Sequence, residues 1–331
     1  MNSERTETVP GAGARSRAVL VVGAGRSGTS ALTRGVQALG VELGDQLRAA
    51  TGKNPTGFFE DRDLLRIGKE VRARLGLRTA SVALVPDHAW RETDLADLRK
   101  ETVEVVSQRL GRAPIWGFKY SQTLRFLPFW EDALREAQVD PCYVLALRNP
   151  LSVARSRAKL DKRRGVQEKS DLEWLVAVVP YLRRMAAHPS VLVDFDLLMA
   201  EPERQLRRVA AGLRLPVDEA VDASLEAYVA SFLKEEMRHT VFDDSALDQA
   251  ERLNTLTRDA YRWLRRLATD ELGLESQEFW QEWSRIEARV ADLAPVLEHL
   301  DRVEEELRPL GWSLRTWLRQ IATRMPRPAR R

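Results

Sequence analysis

The sequence predicts an α/β protein, a doubly wound and mainly parallel sheet with a Gly-rich turn after its first strand, extended by C-terminal helices. Three observations predict it. Short, nearly continuous apolar runs at 18–22, 79–84, 115–118, 142–147 and 191–194 read as strands buried on both faces. Helical patterns at 29–39, 62–75, 95–110, 124–137 and 172–187 alternate with them, as in a parallel sheet wrapped by helices. After about residue 217 the strands stop, and 224–233 and 247–272 continue as helix alone.

The bulk properties fit this class and narrow its partners. At 331 residues, 44% hydrophobic and 31% charged, the chain can bury a substantial core. Its 52 basic and 49 acidic residues leave a net charge of only +3, which argues against a nucleic-acid-coating surface. Cys142 is the only cysteine, so neither an intramolecular disulfide nor a multi-cysteine metal site can form. The four histidines, His88, His188, His239 and His299, stand apart with no paired-ligand motif, and no metal is expected. Residues 1–17 read as a flexible polar tail, and the apolar run after it is too short for a signal-peptide core or a membrane span. The expected address is therefore the cytoplasm, and the expected division is 1–17 tail, 18–272 main domain and 273–331 helical extension.

The extension has its own pattern. Phe279, Trp283, Ile286, Val290, Leu293, Leu297 and Leu300 recur at alternating steps of four and three, the seam of a coiled coil or a helical hairpin. Pro295 interrupts it, and Pro309 with Gly311 break it again. The last nineteen residues, 313–331, hold six arginines and no acid, with Leu314, Trp317, Leu318 and Ile321 on one face. Two readings stand for this segment: a basic amphipathic helix resting on the inner face of an anionic membrane, or one packed on its own domain. The seam likewise suits a homodimer or a cap.

The turn at 23–30 carries the chemistry. Val19 to Leu32 reads as an apolar strand, then Gly23-Ala-Gly25-Arg26-Ser27-Gly28, then a helix opening near Thr29. Backbone N–H groups and the positive end of a helix dipole converge there, which favours an anionic phosphate. Two familiar patterns overlap it. Gly23-x-Gly25-x-x-Gly28 matches the dinucleotide fingerprint, but no second core strand ending in an acid follows about twenty residues on. Gly23 and Gly28 also have Walker A spacing, yet Thr29 occupies the lysine position and the strand at 142–147 ends in Arg148, not Asp. Asp194 is the remaining, distant Mg²⁺ candidate of a kinase reading.

Arg26-Ser-Gly-Thr-Ser30 resembles the 5′-phosphosulfate loop of sulfotransferases that use PAPS (3′-phosphoadenosine 5′-phosphosulfate), notably the carbohydrate and tyrosylprotein branches. Arg148-Asn-Pro-Leu-Ser-Val-Ala-Arg-Ser156 looks like the family's 3′-phosphate motif, an Arg at a strand end and a Ser eight residues on. Asn54-Pro-Thr-Gly-Phe-Phe-Glu-Asp61, Trp116-Gly-Phe-Lys119 and Val193-Asp-Phe-Asp-Leu-Leu198 with Glu201-Pro202 extend the likeness over about residues 18–240. It frays at Tyr120-Ser-Gln before Thr123, where the family usually continues Asp-Pro.

The resemblance implies a donor and a set of roles. Gly25, Arg26, Ser27, Gly28, Thr29 and Ser30 would cradle the 5′-phosphosulfate of PAPS, and Arg148 with Ser156 the 3′-phosphate. Arg26 and Lys119 would offset charge on the transferring group, and Glu60 would act as base toward an acceptor hydroxyl of a carbohydrate or glycolipid, with Asp61 in reserve. Glu60 could equally be an acid favoured at a helix start. Arg238-His239 falls where relatives return a basic residue to the nucleotide, or on a solvated helix end. The run Arg155, Arg157, Lys159, Lys162, Arg163 and Arg164 either steers an anionic substrate or forms a solvated face. The competing readings are a P-loop-type kinase and a PAP-binding scaffold without catalysis, PAP being adenosine 3′,5′-bisphosphate.

Overall fold

The computed structural model describes residues 16–49, 57–231, 242 and 244–307. Its sheet has four strands, β1 (Arg17–Val22), β2 (Ile115–Phe118), β3 (Asp140–Leu147) and β4 (Ser190–Asp194). They pair in parallel in the order β2-β1-β3-β4. Side chains alternate across the sheet with period two, and both faces are apolar. Ala18, Leu20 and Val22 face one core, shared with Trp116, Phe118, Tyr143 and Leu145. Val19 and Val21 face the other, with Cys142, Val144 and Val193.

Helices α1 (Thr29–Ala38), α2 (Arg62–Arg74), α3 (Asp87–Glu92), α4 (Ala96–Leu110) and α5 (Leu127–Glu136) fill the first half. After β3 come α6 (Pro150–Ala158), α7 (Gln167–Val178) and α8 (Leu182–Ala186). Two helices, α9 (Phe195–Ala200) and α10 (Pro202–Leu213), follow β4, and α11 (Glu219–Ser231) closes that layer. The tail of the fold is α12 (Asp244–Gln249), α13 (Thr255–Ala268), α14 (Gln277–Asp292) and α15 (Ala294–Glu306). No described helix is long and apolar enough to cross a membrane.

The strand order positions the site. From β1 the chain crosses to β2 on one side, then back over β1 to β3 on the other. The connections therefore diverge between β1 and β3, and the crevice beyond their carboxyl ends is where such sheets bind ligands. The Gly-rich turn leaves β1, Arg148 follows β3, and Lys119 follows β2, so three sequence motifs reach one edge through topology alone.

Of the expected elements, the run at 79–84 and the helix at 247–272 come out differently, and the seam takes one of its two expected forms. The run at 79–84 is irregular. The Asp301 carboxylate accepts the Val82 and Ala83 N–H groups at 3.0 and 3.1 Å, and Arg125 donates to the Ser81 and Ala83 carbonyls. Side chains satisfy the backbone that a strand ladder would have used. The helix at 247–272 is split into α12 and α13, because the Asn254 side chain accepts the Leu256 and Thr257 N–H groups and starts a new helix. The seam from Phe279 is turned inward: Phe279, Trp283, Ile286 and Val290 join the core beneath the sheet, and Leu297 packs with Val82 and Val176. Leu293 ends α14 and Pro295 enters the first turn of α15, giving a helical hairpin; only Leu300 of the series is exposed.

Candidate functional site

The turn after β1 is built for close approach. A Cβ on Gly23 would stand 2.6 Å from the Ala146 carbonyl of β3. Gly28, in the left-handed region at φ +85°, would drive a Cβ to 2.1 Å from the Phe195 ring. Only glycine fits either position. Inside the turn the Ser27 N–H donates to the Ala24 carbonyl at 3.1 Å. Gly28 precedes α1 and no side chain caps that helix, so the first-turn N–H groups at Thr29 and Ser30 have no side-chain acceptor. The Ser27 Oγ is buried with no hydrogen-bond partner among the described residues.

Arg26 joins this turn to the motif after β3. Its Nε donates to the Ser156 Oγ on α6 at 3.0 Å, while Arg148 Nη1 donates to the Arg26 carbonyl at 3.2 Å. Residue 26 thus forms one cluster with residues 148 and 156, more than 120 positions further along the sequence. The Arg148 guanidinium lies 4.4 Å over the Phe195 ring, and its Nε is buried without a partner. Neither Arg26 nor Arg148 is ion-paired among the described residues. Burial holds Arg148 below the usual guanidinium range; the nearby charge of Asp196 opposes this and that of Arg26 adds to it. Asn149 caps α6 by accepting the Leu151 N–H at 3.0 Å, and Pro150 takes its first turn, which holds Ser156 on the inward side.

The end of β2 gives a second group. Lys119 Nζ donates to Glu60 Oε1 and to the Phe58 carbonyl, both at 3.0 Å. Glu60 Oε2 meets Arg48 Nη1 at 2.9 Å, and Arg48 lies 3.7 Å over the Phe58 ring. Glu60 and Lys119 are both buried, whereas the Arg48 side chain is 41% exposed. Burial pushes the Lys119 ammonium down, Glu60 opposes this, and the charges of Arg48 and Arg26 push it further down. The field of Arg26 therefore reaches both groups. Asp61 faces elsewhere: it caps α2 by accepting the Asp63 and Leu64 N–H groups and pairs with the buried Arg109 at 2.9 Å. The helix-start role that could have been Glu60's belongs to Asp61.

Three contributors were not singled out by sequence reasoning. Arg48 carries no motif. Phe195 starts α9 after the capping Asp194, which accepts the Asp196 and Leu197 N–H groups; the Asp194 of the kinase reading is thereby a helix cap. Arg157 belongs to a basic run read as steering or solvated. In the structure Arg155, Lys159, Lys162 and Arg163 are exposed, but Arg157 is only 4% exposed and turns in toward the loop. The signal for it was its place on α6, one residue after Ser156. Residues 54–56, Arg238-His239 and 313–331 lie outside the described residues.

The residues fit a nucleotide carrying two phosphate groups. The turn offers uncapped N–H groups and a glycine cradle, Arg148 offers an unpartnered Nε, and Ser27 an unpartnered Oγ. No protein-family model matches the chain, and no curated protein matches it. Among solved structures the chain is similar to sulfotransferase STF9 from Mycobacterium avium, at 13% identity over 73% of this chain and 78% of that one, with a TM-score of 0.42. It is also similar to STF1 from Mycobacterium tuberculosis H37Rv, at 14% identity over 68% and 76%, TM-score 0.37. The sulfotransferase domain of the Synechococcus PCC 7002 olefin synthase matches at 15% identity over 83% and 94%, TM-score 0.39. At these scores the functional reading rests on the chain's own residues.

Proposed function

We infer that the chain is a PAPS-dependent sulfotransferase acting on an acceptor hydroxyl, that of a carbohydrate or glycolipid. One observation carries the reading: Arg26 of the phosphate turn is bonded to both members of the 3′-phosphate motif, Arg148 and Ser156. A nucleotide with phosphates at both ends of its ribose needs both cation sets at once. PAPS, when bound, supplies an activated sulfuryl group.

The chain's residues divide the remaining work. N–H groups of Gly28 to Ser30 hold the 5′-phosphate at the helix start. Arg148 and Ser156 hold the 3′-phosphate, which ATP lacks, and a guanidinium suits phosphate because it donates twice in one plane. Arg26 and Lys119 offset charge that develops on the transferring group. Glu60, held between Lys119 and Arg48, accepts the hydroxyl proton. For that, one partner must yield, and the exposed Arg48 has the room to do so. The kinase reading has lost its footing, since Thr29 replaces the lysine and Asp194 caps a helix.

Transfer of labelled sulfate from PAPS to a panel of glycan acceptors tests this reading. Glu60→Gln is expected to keep stabilisation by PAP and to lose transfer. Near-normal turnover of Glu60→Gln would remove Glu60 from the role of base.

A further inference from the structure

Arg26 has φ +78°, a backbone conformation that is strained for a non-glycine residue and persists only where its surroundings impose it. Two guanidiniums impose it here. Arg148 donates to the carbonyl of Arg26, and Arg157 Nη2 donates to the carbonyl of Gly25 at 3.3 Å, so consecutive carbonyls are held from the protein side. No peptide bond in the described chain is cis. In a trans peptide the N–H points opposite to the carbonyl, so fixing the Gly25 carbonyl also fixes the direction of the Arg26 N–H.

Arg157 is costly to keep. It is nearly fully buried, and burial lowers its pKa to about 10 despite Glu173 nearby. Desolvating a guanidinium is unfavourable unless partners compensate. Its Nη1 donates to the Ser170 carbonyl at 2.8 Å and to the Ser170 Oγ at 3.2 Å, and meets Glu173 Oε2 at 3.3 Å. Glu173 is shared, because Arg164 grips both of its oxygens at 2.6 and 3.0 Å. Two guanidiniums thus draw on one carboxylate, and Arg157 Nε has no partner among the described residues. A group of this cost beside the anion turn, its direct counter-ion Glu173 shared with Arg164 and Asp171 acting only through its field, is poorly explained by packing alone.

We propose that Arg157 is a positioning residue of the anion loop: it fixes the Gly25–Arg26 peptide from behind and, with Glu173 and Arg164, ties the loop to α7. This deepens the functional reading above and rests on it for the identity of the nucleotide, though not for the presence of an anion. Arg157 touches no ligand in this role; it acts through the backbone of Gly25 and Arg26.

The test is calorimetric binding of PAP and, separately, of inorganic pyrophosphate to the full chain, with thermal unfolding as a control. Arg157→Met removes the charge and leaves Glu173 paired with Arg164. It is expected to unfold cooperatively and to bind both probes at least tenfold more weakly, whereas Arg157→Lys recovers part of the loss. Unchanged affinity in Arg157→Met overturns the proposal, as does equal weakening in the Lys and Met variants. Should Arg157→Met not fold, Glu173→Gln serves instead: a smaller loss in the same direction supports the proposal, and none overturns it. Wild-type protein that binds pyrophosphate but shows no preference for PAP defeats the functional reading alone, and the Arg157 comparison then stands on pyrophosphate.

Discussion

The two ends of the molecule handle charge in opposite ways. Under the C-terminal hairpin, cations meet carboxylates: Arg78 contacts Asp301, Glu304 and Glu305, Lys169 pairs with Glu304 at 2.5 Å, and Arg183 pairs with Glu287 at 2.7 Å. At the carboxyl edge of the sheet, Arg26 and Arg148 lie close together with no ion pair among the described residues, and Arg26 also acts on Lys119 and Arg157. Balanced charge over an apolar seam holds a fold together. Charge without a direct ion-pair partner, partly desolvated, stores an affinity for an anion that must come from outside.

The largest expected effect lies at the carboxyl edge of the sheet. Arg26→Ala should lower turnover by ~10²–10³ or more with little change in melting temperature, whereas Lys119→Ala should lose turnover to a like degree and also stability, because it removes one partner of a buried ion pair, measured by labelled-sulfate transfer and thermal scans. A large stability loss with retained turnover would erase the contrast. On the balanced side, Trp283→Ala should cost ~3–5 kcal/mol in denaturant unfolding, because the ring is fully buried in the main core. Asp301→Ala should cost less, ~1–3 kcal/mol, by stranding the Val82 and Ala83 N–H groups. Its binding of PAP should be unaltered, and a parallel loss of binding would show the two regions to be coupled.

The smallest effect concerns Asp171, which bridges α7 and the start of α13 by accepting from Gln167 at 2.6 Å and the Asn254 N–H at 2.8 Å. Burial raises its pKa from 3.8 to about 7. A carboxyl raised on folding binds its proton more tightly in the folded chain, so its contribution is full below about pH 4 and is lost as pH rises through 7. Wild-type stability should therefore fall from pH 5 to pH 8 relative to Asp171→Asn, by about 2 °C or more in melting temperature. A constant difference across that range would show that Asp171 does not titrate there.

The fold was legible where local pattern and tertiary use agree. The four sheet strands are continuous β-branched and apolar runs, buried on both faces, and their motifs stand at strand ends that topology brings together. The run at 79–84 has the same look, but its hydrogen bonds go to Asp301 and Arg125, more than 200 and about 40 residues away in sequence. No local pattern carries that information. The break at Asn254 was readable as a cap, yet the apolar series on both sides ran through it. The seam from Phe279 predicted a buried stripe but not its partner, since periodicity is silent on whether a second chain or the same one covers it.

Site residues divide along the same line. Arg26, Arg148 and Ser156 were legible because each belongs to a spaced motif, and the structure brings them into contact. Glu60 and Lys119 likewise meet, at 3.0 Å. Arg48 was not legible, because a side chain that acts on a motif from another element leaves no spacing of its own; Phe195 and Arg157 stood inside quoted stretches with nothing there to mark their contacts. Arg157 shows the limit best: five basic neighbours in the run look alike in sequence, and only the turn of α6 sends this one inward.

The central claim is that the cluster of Arg26, Arg148 and Ser156 selects a nucleotide bearing a 3′-phosphate, and competitive calorimetry with PAP against ADP tests it most directly. The expected result is at least tenfold tighter binding of PAP, with that preference abolished in Arg148→Ala while ADP binding changes little. Equal affinity of the wild-type chain for the two nucleotides, or a preference for PAP that survives Arg148→Ala, would contradict it.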